Sequence, residues 1–218
     1  TDTHTDTQIH RHTDTDTQAQ AQAQTHMHRH RHRHTQTHTQ PNLQICCLLG
    51  HVWQGWRFES EAAALTVALQ ALEAANQAGE DTAELHAAAQ EQWVETAKVW
   101  AELDVMQIGP QASSLSAPDV GEDIRDEIYS WPTTVNPCRV DQVTADESFL
   151  EESFFDSNLV NAYGLDALEH LLFDDLETSC ASQIPPVSDG SWDALGDSGV
   201  SLNRASYAVV LSSHIEEQ

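Results

Sequence analysis

The sequence predicts an all-α protein, an antiparallel helical bundle behind a disordered N-terminal tail. Three observations predict it. After Pro41 the apolar residues recur at helical spacing, strand signals are nearly absent, and several Ala- and Leu-rich runs end at Gly or Pro. Short connections between such runs favour antiparallel neighbours.

The tail is the tract TDTHTDTQIHRHTDTDTQAQAQAQTHMHRHRHRHTQTHTQ, residues 1–40, which holds nine of the chain's thirteen histidines. It alternates with period two, but neither residue set is apolar, so it has nothing to bury against its ordering entropy. One reading is a His-rich metal-binding tract. The other is a translated simple repeat, since its codons fit a CA-type repeat, and on that reading the tract stands outside the fold.

Residues 41–58 read as a poorly defined linker. ESEAAALTVALQALEAANQAG (59–79) is the first helix, with Leu65, Leu69 and Leu72 on one stripe and Gly79 as its stop. DTAELHAAAQEQWVETAKVWAELDVM (81–106) is the second, capped by Asp81 or Thr82, with Trp93 and Trp100 on its core face. Residues 109–121 form a loop. EDIRDEIYSW (122–131) is a third helix carrying Ile124, Ile128 and Trp131, and it stops at Pro132. Residues 132–148 read as irregular, 149–162 as helix, and NAYGLDALEHLLF (161–173) opens another. A long acidic loop with Pro185, Pro186 and Trp192 precedes a last helix from Asn203 to Gln218. The helices are few and the last is abruptly cut, so the domain at 59–218 is expected to be incomplete at its C-terminus.

Charge narrows the function. The chain has 35 acidic and 9 basic residues, a net charge of −26. The tail is neutral, so the whole excess lies after Pro41, where five basic residues face 31 acidic ones. Such a surface repels phosphate backbones and anionic lipid, which argues against nucleic-acid and membrane-surface partners. No apolar run is long enough to span a bilayer.

Cys46 and Cys47 are neighbours and poorly placed to pair with each other. Cys138 and Cys180 sit in stretches read as loops, and a disulfide between them would imply an oxidising compartment; two free thiols are the alternative. There is no Cys-x-x-Cys and no HExxH, QICCLLG does not match a lipobox, and no signal peptide is visible in this chain.

Four pieces, AQEQWVETAKVWAELDVMQIGP, IRDEIYSWPTTVNPCRVDQ, NAYGLDALEHLLF and CASQIPP, occur in an order that resembles the imelysin-like family of bacterial extracytoplasmic proteins. The resemblance covers residues 59–215. It implies a helical fold of two bundle-like halves, of which this chain would hold the first and the start of the second. It also implies a periplasmic or outer-membrane-associated location and a role in iron uptake or, alternatively, as a metallopeptidase. The family motif GxHxxE falls on Gly164, Asp166 and Glu169, with Asp166 where the His stands and His170 one place after the Glu. A zinc peptidase site relies on imidazole ligands, so Asp166 weakens that reading most.

At about 100° per residue from Leu165, Glu169 falls near 40°, between Leu165 and Phe173 near 80°, with Asp166 and His170 on the border of the apolar arc. Glu169 is therefore expected to point inward, where a carboxylate needs a partner. A metal shared with Asp166 or His170, and with Asp141, is one partner; Arg139 is a second; protonation is the third. A carboxylate-rich set favours iron or calcium over zinc. The expected function is non-catalytic metal binding, iron first, with a metal ion or an iron-uptake protein as partner. The alternatives are a metallopeptidase and a non-functional fragment of a faulty gene model.

Overall fold

The first helix, α1, runs from Pro41 to Ala78 and ends where Gly79 takes a positive φ of 66°. It extends through the residues read as a linker, so the start expected at Glu59 lies inside it. The structure, a computed structural model, describes residues 41–105, 109–117, 119, 121–129 and 133–218, with side chains from residue 54 onward. The tail, Met106, Trp131 and Pro132 lie outside the described residues. Residues 47–218 make one unit, and of the unit before it only Pro41–Cys46 are described.

Helix α2, Ala83–Asp104, follows after a short turn in which Asp81 Oδ1 accepts from the Ala83 N–H at 3.1 Å. The two helices run antiparallel, as their cross-contacts show. Arg57 pairs with Glu102 at 2.9 Å, the Phe58 and Trp100 rings sit 4.9 Å apart, and Thr96 Oγ1 donates to the Glu61 carbonyl at 3.1 Å. Leu65, Leu69 and Leu72 are buried, as are Trp93 and Trp100, so the stripes read from the sequence face the core.

Beyond α2 the expected helices change length. Helix α3 covers only Ile124–Ile128. The stretch read as irregular holds a helix, α4, Pro137–Asp146, because Asn136 accepts the Arg139 N–H at 3.2 Å as an N-cap and Pro137 supplies a preset first turn. The helix expected over 149–162 shrinks to a 3₁₀ turn, Ser148–Leu150, and one turn of α-helix, α5, Phe154–Ser157. Its aromatic residues do not build a long helix; Phe149 and Phe154 both pack on Tyr207. Helix α6 is Leu165–Phe173. Helix α7, Ser191–Glu217, begins inside the region read as loop and is kinked at Gly196, where φ is 62°. Trp192, expected in that loop, is buried and its Nε1 donates to the Leu176 carbonyl at 3.1 Å.

Every described element is helix, turn or irregular backbone, which is the predicted all-α class. Helix α6 lies at the centre of the packing, against α2, α4 and α7. Trp93 Nε1 donates to the Leu165 carbonyl at 3.0 Å and Gln90 Nε2 to the Leu172 carbonyl at 2.6 Å, which fixes α2 along α6. On the other side Asn203 Nδ2 donates to the Thr144 carbonyl at 3.0 Å, joining α7 to α4. No described helix is long and apolar enough to cross a membrane.

Cys138 and Cys180 form a disulfide, the pairing expected from sequence, although Cys138 stands in the first turn of α4 rather than in a loop. It ties the start of α4 to the segment after α6. Closing a loop of this size removes unfolded-state entropy worth about 2–4 kcal/mol. Urea unfolding with and without reductant should therefore show the oxidised chain more stable by about that amount; coincident curves would show that the crosslink constrains nothing.

Candidate functional site

Helix α6 begins at a glycine that nothing else can replace. Gly164 has φ of 92°, and a Cβ there would stand 2.9 Å from the Ile128 carbonyl oxygen and 3.0 Å from that of Glu127. The end of α3 thus rests on the backbone at the start of α6, and any side chain would push the two apart.

From that start the helix is buried around most of its circumference. Leu165 to Leu168 and His170 to Leu172 are all buried, whereas Glu169 is exposed and Phe173 is 44 % exposed. This reverses the sequence expectation for Glu169. The expected inward direction was set by taking Leu165 and Phe173 as two core residues with Glu169 between them. Phe173 instead lies over the edge of Trp93, ring centroids 5.3 Å apart, so the arc from Glu169 to Phe173 is the solvent seam. The residues placed on the border, Asp166 and His170, are the ones that point in.

His170 is held from both sides. Its Nε2 lies 2.9 Å from Asp141 Oδ1 and its Nδ1 lies 2.6 Å from Asp174 Oδ2. Carboxylate oxygens only accept, so both contacts are hydrogen bonds when both ring nitrogens carry protons. Asp141, with no exposed surface, also accepts from the Ser179 N–H at 2.6 Å and from Thr178 Oγ1 at 3.3 Å, and lies 3.4 Å from Arg204 Nη2. Arg204 in turn donates to the Asp174 and Asp175 carbonyls at 3.2 and 2.6 Å and stacks over Trp192. Burial alone raises the Asp141 carboxyl, but the His170 and Ser179 hydrogen bonds and the nearby His170 and Arg204 outweigh it and hold it below the ordinary range. Asp141 therefore belongs to a buried network joining α4, α6 and α7, not to a set of ligands around Glu169.

Asp166 has a separate setting. It is buried, and Thr133 Oγ1 donates to its Oδ2 at 2.6 Å. Glu169, though it reaches solvent, has its carboxyl raised by partial desolvation and then by the negative charge of Asp166 and Asp174. The Tyr129 phenol is raised first by burial and further by the charge of Glu169 and Asp166. The charges of Asp166 and Glu169 thus act on each other's surroundings and on Tyr129. Arg139, one of the three partners weighed for Glu169, is elsewhere: its Nη2 donates to Asn158 Oδ1 at 2.7 Å.

The family model described as Imelysin, under a peptidase label, matches residues 57–207, more than half of the chain. The chain belongs to the imelysin family. No curated protein and no solved structure matches it. In this imelysin chain the motif glycine, Gly164, has a steric role and the motif carboxylate, Glu169, is the exposed member of the helix. His170 does not replace the missing motif histidine, since each of its ring nitrogens already faces a carboxylate oxygen, of Asp141 and of Asp174. Among the described residues no group of three or more His, Cys, Asp or Glu side chains is arranged to hold a metal ion.

Arg204 and Asp174 escaped the sequence reading. A signal for Arg204 was available. It is one of five basic residues after Pro41, it lies among Asn203, Ala205 and Ala208 on a helix, and an arginine on such a face requires a buried carboxylate.

Because the folded-state pKa of Asp141 is depressed, the unfolded chain takes up the proton first on acidification. Its stabilisation is complete above the ordinary carboxylate pKa of about 3.9 and is lost as the pH falls below it. Asp141→Asn should cost about 3–5 kcal/mol at neutral pH, the cost of breaking a buried pair from one side, and should flatten the acid limb of the stability profile. Glu169→Gln, at an exposed site, should stay within about 0.5 kcal/mol of the parent. Urea titrations across the acid range measure both, and equal costs for the two substitutions would contradict this assignment.

Proposed function

We propose that this imelysin-family chain is a non-catalytic extracytoplasmic binding protein whose acidic edge, Glu169 with Asp166, takes a metal cation, iron ahead of calcium or zinc. The observation that carries the reading is Glu169 itself. It occupies the motif position, it faces solvent on a helix otherwise buried, and its carboxyl is raised by partial desolvation and then by the charge of Asp166 and Asp174. A cation relieves that repulsion, and oxygen donors suit a hard ion. Two carboxylates are only part of a coordination shell, so water or a partner protein of iron uptake would complete it. The disulfide supports an oxidising, extracytoplasmic setting.

The family's peptidase label motivates the second reading, a metallopeptidase using Glu169 as base. The contacts of His170 weigh against it, because both of its ring nitrogens already face carboxylates.

Equilibrium dialysis of the full chain against ferric citrate, calcium and zinc separates the readings. The proposal expects iron retained at about one ion per chain, with Glu169→Gln and Asp166→Asn each weakening it at least tenfold, about 1.4 kcal/mol. No retained iron, or retention unchanged in both variants, would overturn it. Chelator-sensitive cleavage of an unfolded protein by the same preparation would establish the peptidase instead.

A further inference from the structure

The last turn of α7 carries a histidine set among aromatic rings. His214 is half-buried, and its ring lies on that of Phe155 from α5, centroids 3.7 Å and planes 12° apart. Tyr163 meets the same imidazole edge-on at 6.0 Å and the Phe155 ring at 5.5 Å, so the three rings form one cluster. Tyr163 is the residue before Gly164, and its hydroxyl donates to Glu127 Oε2 at 3.4 Å. The cluster therefore joins the end of α7 to α5, to α3 and to the turn that opens α6.

Within it, His214 Nε2 is shielded from solvent and has no hydrogen-bond partner among the described residues. A neutral imidazole carries one N–H and can leave that nitrogen as a bare acceptor. The imidazolium cannot. It must place an N–H on Nε2, where nothing accepts it, and a charge among aromatic side chains. The charges acting on the ring are Glu127 from α3 and Glu217 from its own helix. The Tyr163 phenol faces it from the segment before α6, and α5 meets it with the Phe155 ring. Both carboxylates favour the imidazolium, but burial outweighs them and holds the group below the ordinary histidine range. Attraction of a cation to the Phe155 face is weaker than the loss of hydration at a buried charged donor. Proton uptake is thus easier once the ring has left the cluster. Docking is fully favoured above the ordinary histidine pKa of about 6.5 and weakens as the pH falls below it, by up to about tenfold per unit.

We propose that the end of α7 is an acid-released latch: protonation of His214 undocks the last turn of α7 from Phe155 and Tyr163 and loosens the turn entering Gly164. A helix end opens readily, because the carbonyls of its last turn have no intrahelical partner to lose. Neither Glu169 nor a bound ion takes part, so failure of the latch is distinct from failure of the metal reading.

Amide hydrogen exchange of the full chain, expressed as protection factors at about pH 7.5 and about pH 5.5, tests the latch. Amides 212–217 should lose at least about fivefold in protection at the lower pH, while those of 93–103 in α2 change by less than about twofold. His214→Phe keeps a ring in the cluster but cannot take up a proton, and there the loss should disappear. Equal protection of 212–217 at the two pH values in the wild type, or the same loss in His214→Phe, would overturn the proposal. A titration of the ¹³C-labelled wild-type imidazoles needs no variant to fold. The His214 ring, assigned by its cross-relaxation with Phe155, should titrate below about 6.5, and a midpoint at or above that value would overturn the proposal as well.

Discussion

A carboxylate with no exposed surface, Asp141, lies where α4, α6 and α7 meet, and the surrounding structure is arranged to satisfy it. Isolated in the interior it would be prohibitively costly. It is instead met by His170 from α6, by Arg204 from α7, and by the Ser179 N–H and Thr178 hydroxyl from the segment after α6. These contacts set the three helices in register, because moving any one of them would leave a buried charge unpaired. The Cys138–Cys180 disulfide fastens the same segment to the start of α4, so covalent and polar constraints act on the same junction.

That constraint decides which part of the motif is left for function. With His170 held at both ring nitrogens by Asp141 and Asp174, the Asp141 side of α6 is committed to the fold. Gly164 is committed as well, by the close approach of the α3 carbonyls. What remains is Glu169 at the solvent seam, together with Asp166: partial desolvation and then the charge of Asp166 and Asp174 raise the Glu169 carboxyl. A fold that buries a network so close to its exposed carboxylate holds that carboxylate on rigid backbone, which is what an ion or a partner would meet.

The helical class, the Leu65–Leu69–Leu72 stripe and the burial of Trp93 and Trp100 were all legible in the sequence, because long amphipathic helices carry many repeats of the same signal. Short elements carried less. Helix α4 was missed although Asn136-Pro137 is a cap followed by a favoured first residue, and its one-sided burial was hidden by Asp141, a charge where an apolar residue is expected. The direction of Glu169 was misjudged for the same reason in reverse. A wheel weighs Phe173 as core, but tertiary contacts put polar Asp166 and His170 inside and left the aromatic ring at the edge. Polar residues go inward when partners from distant segments await them, and no local pattern reports those partners. Arg204, 63 positions from Asp141, is the plainest case.

Asp141 and His170 act as one unit in holding α4 to α6. A double-mutant cycle on this pair, Asp141→Asn with His170→Gln, each measured by urea unfolding of the oxidised chain at neutral pH, tests it directly. The structure predicts a coupling of about 1–3 kcal/mol between the two substitutions, the range for residues sharing a buried network. Costs that simply add, to within about 0.5 kcal/mol, would contradict it.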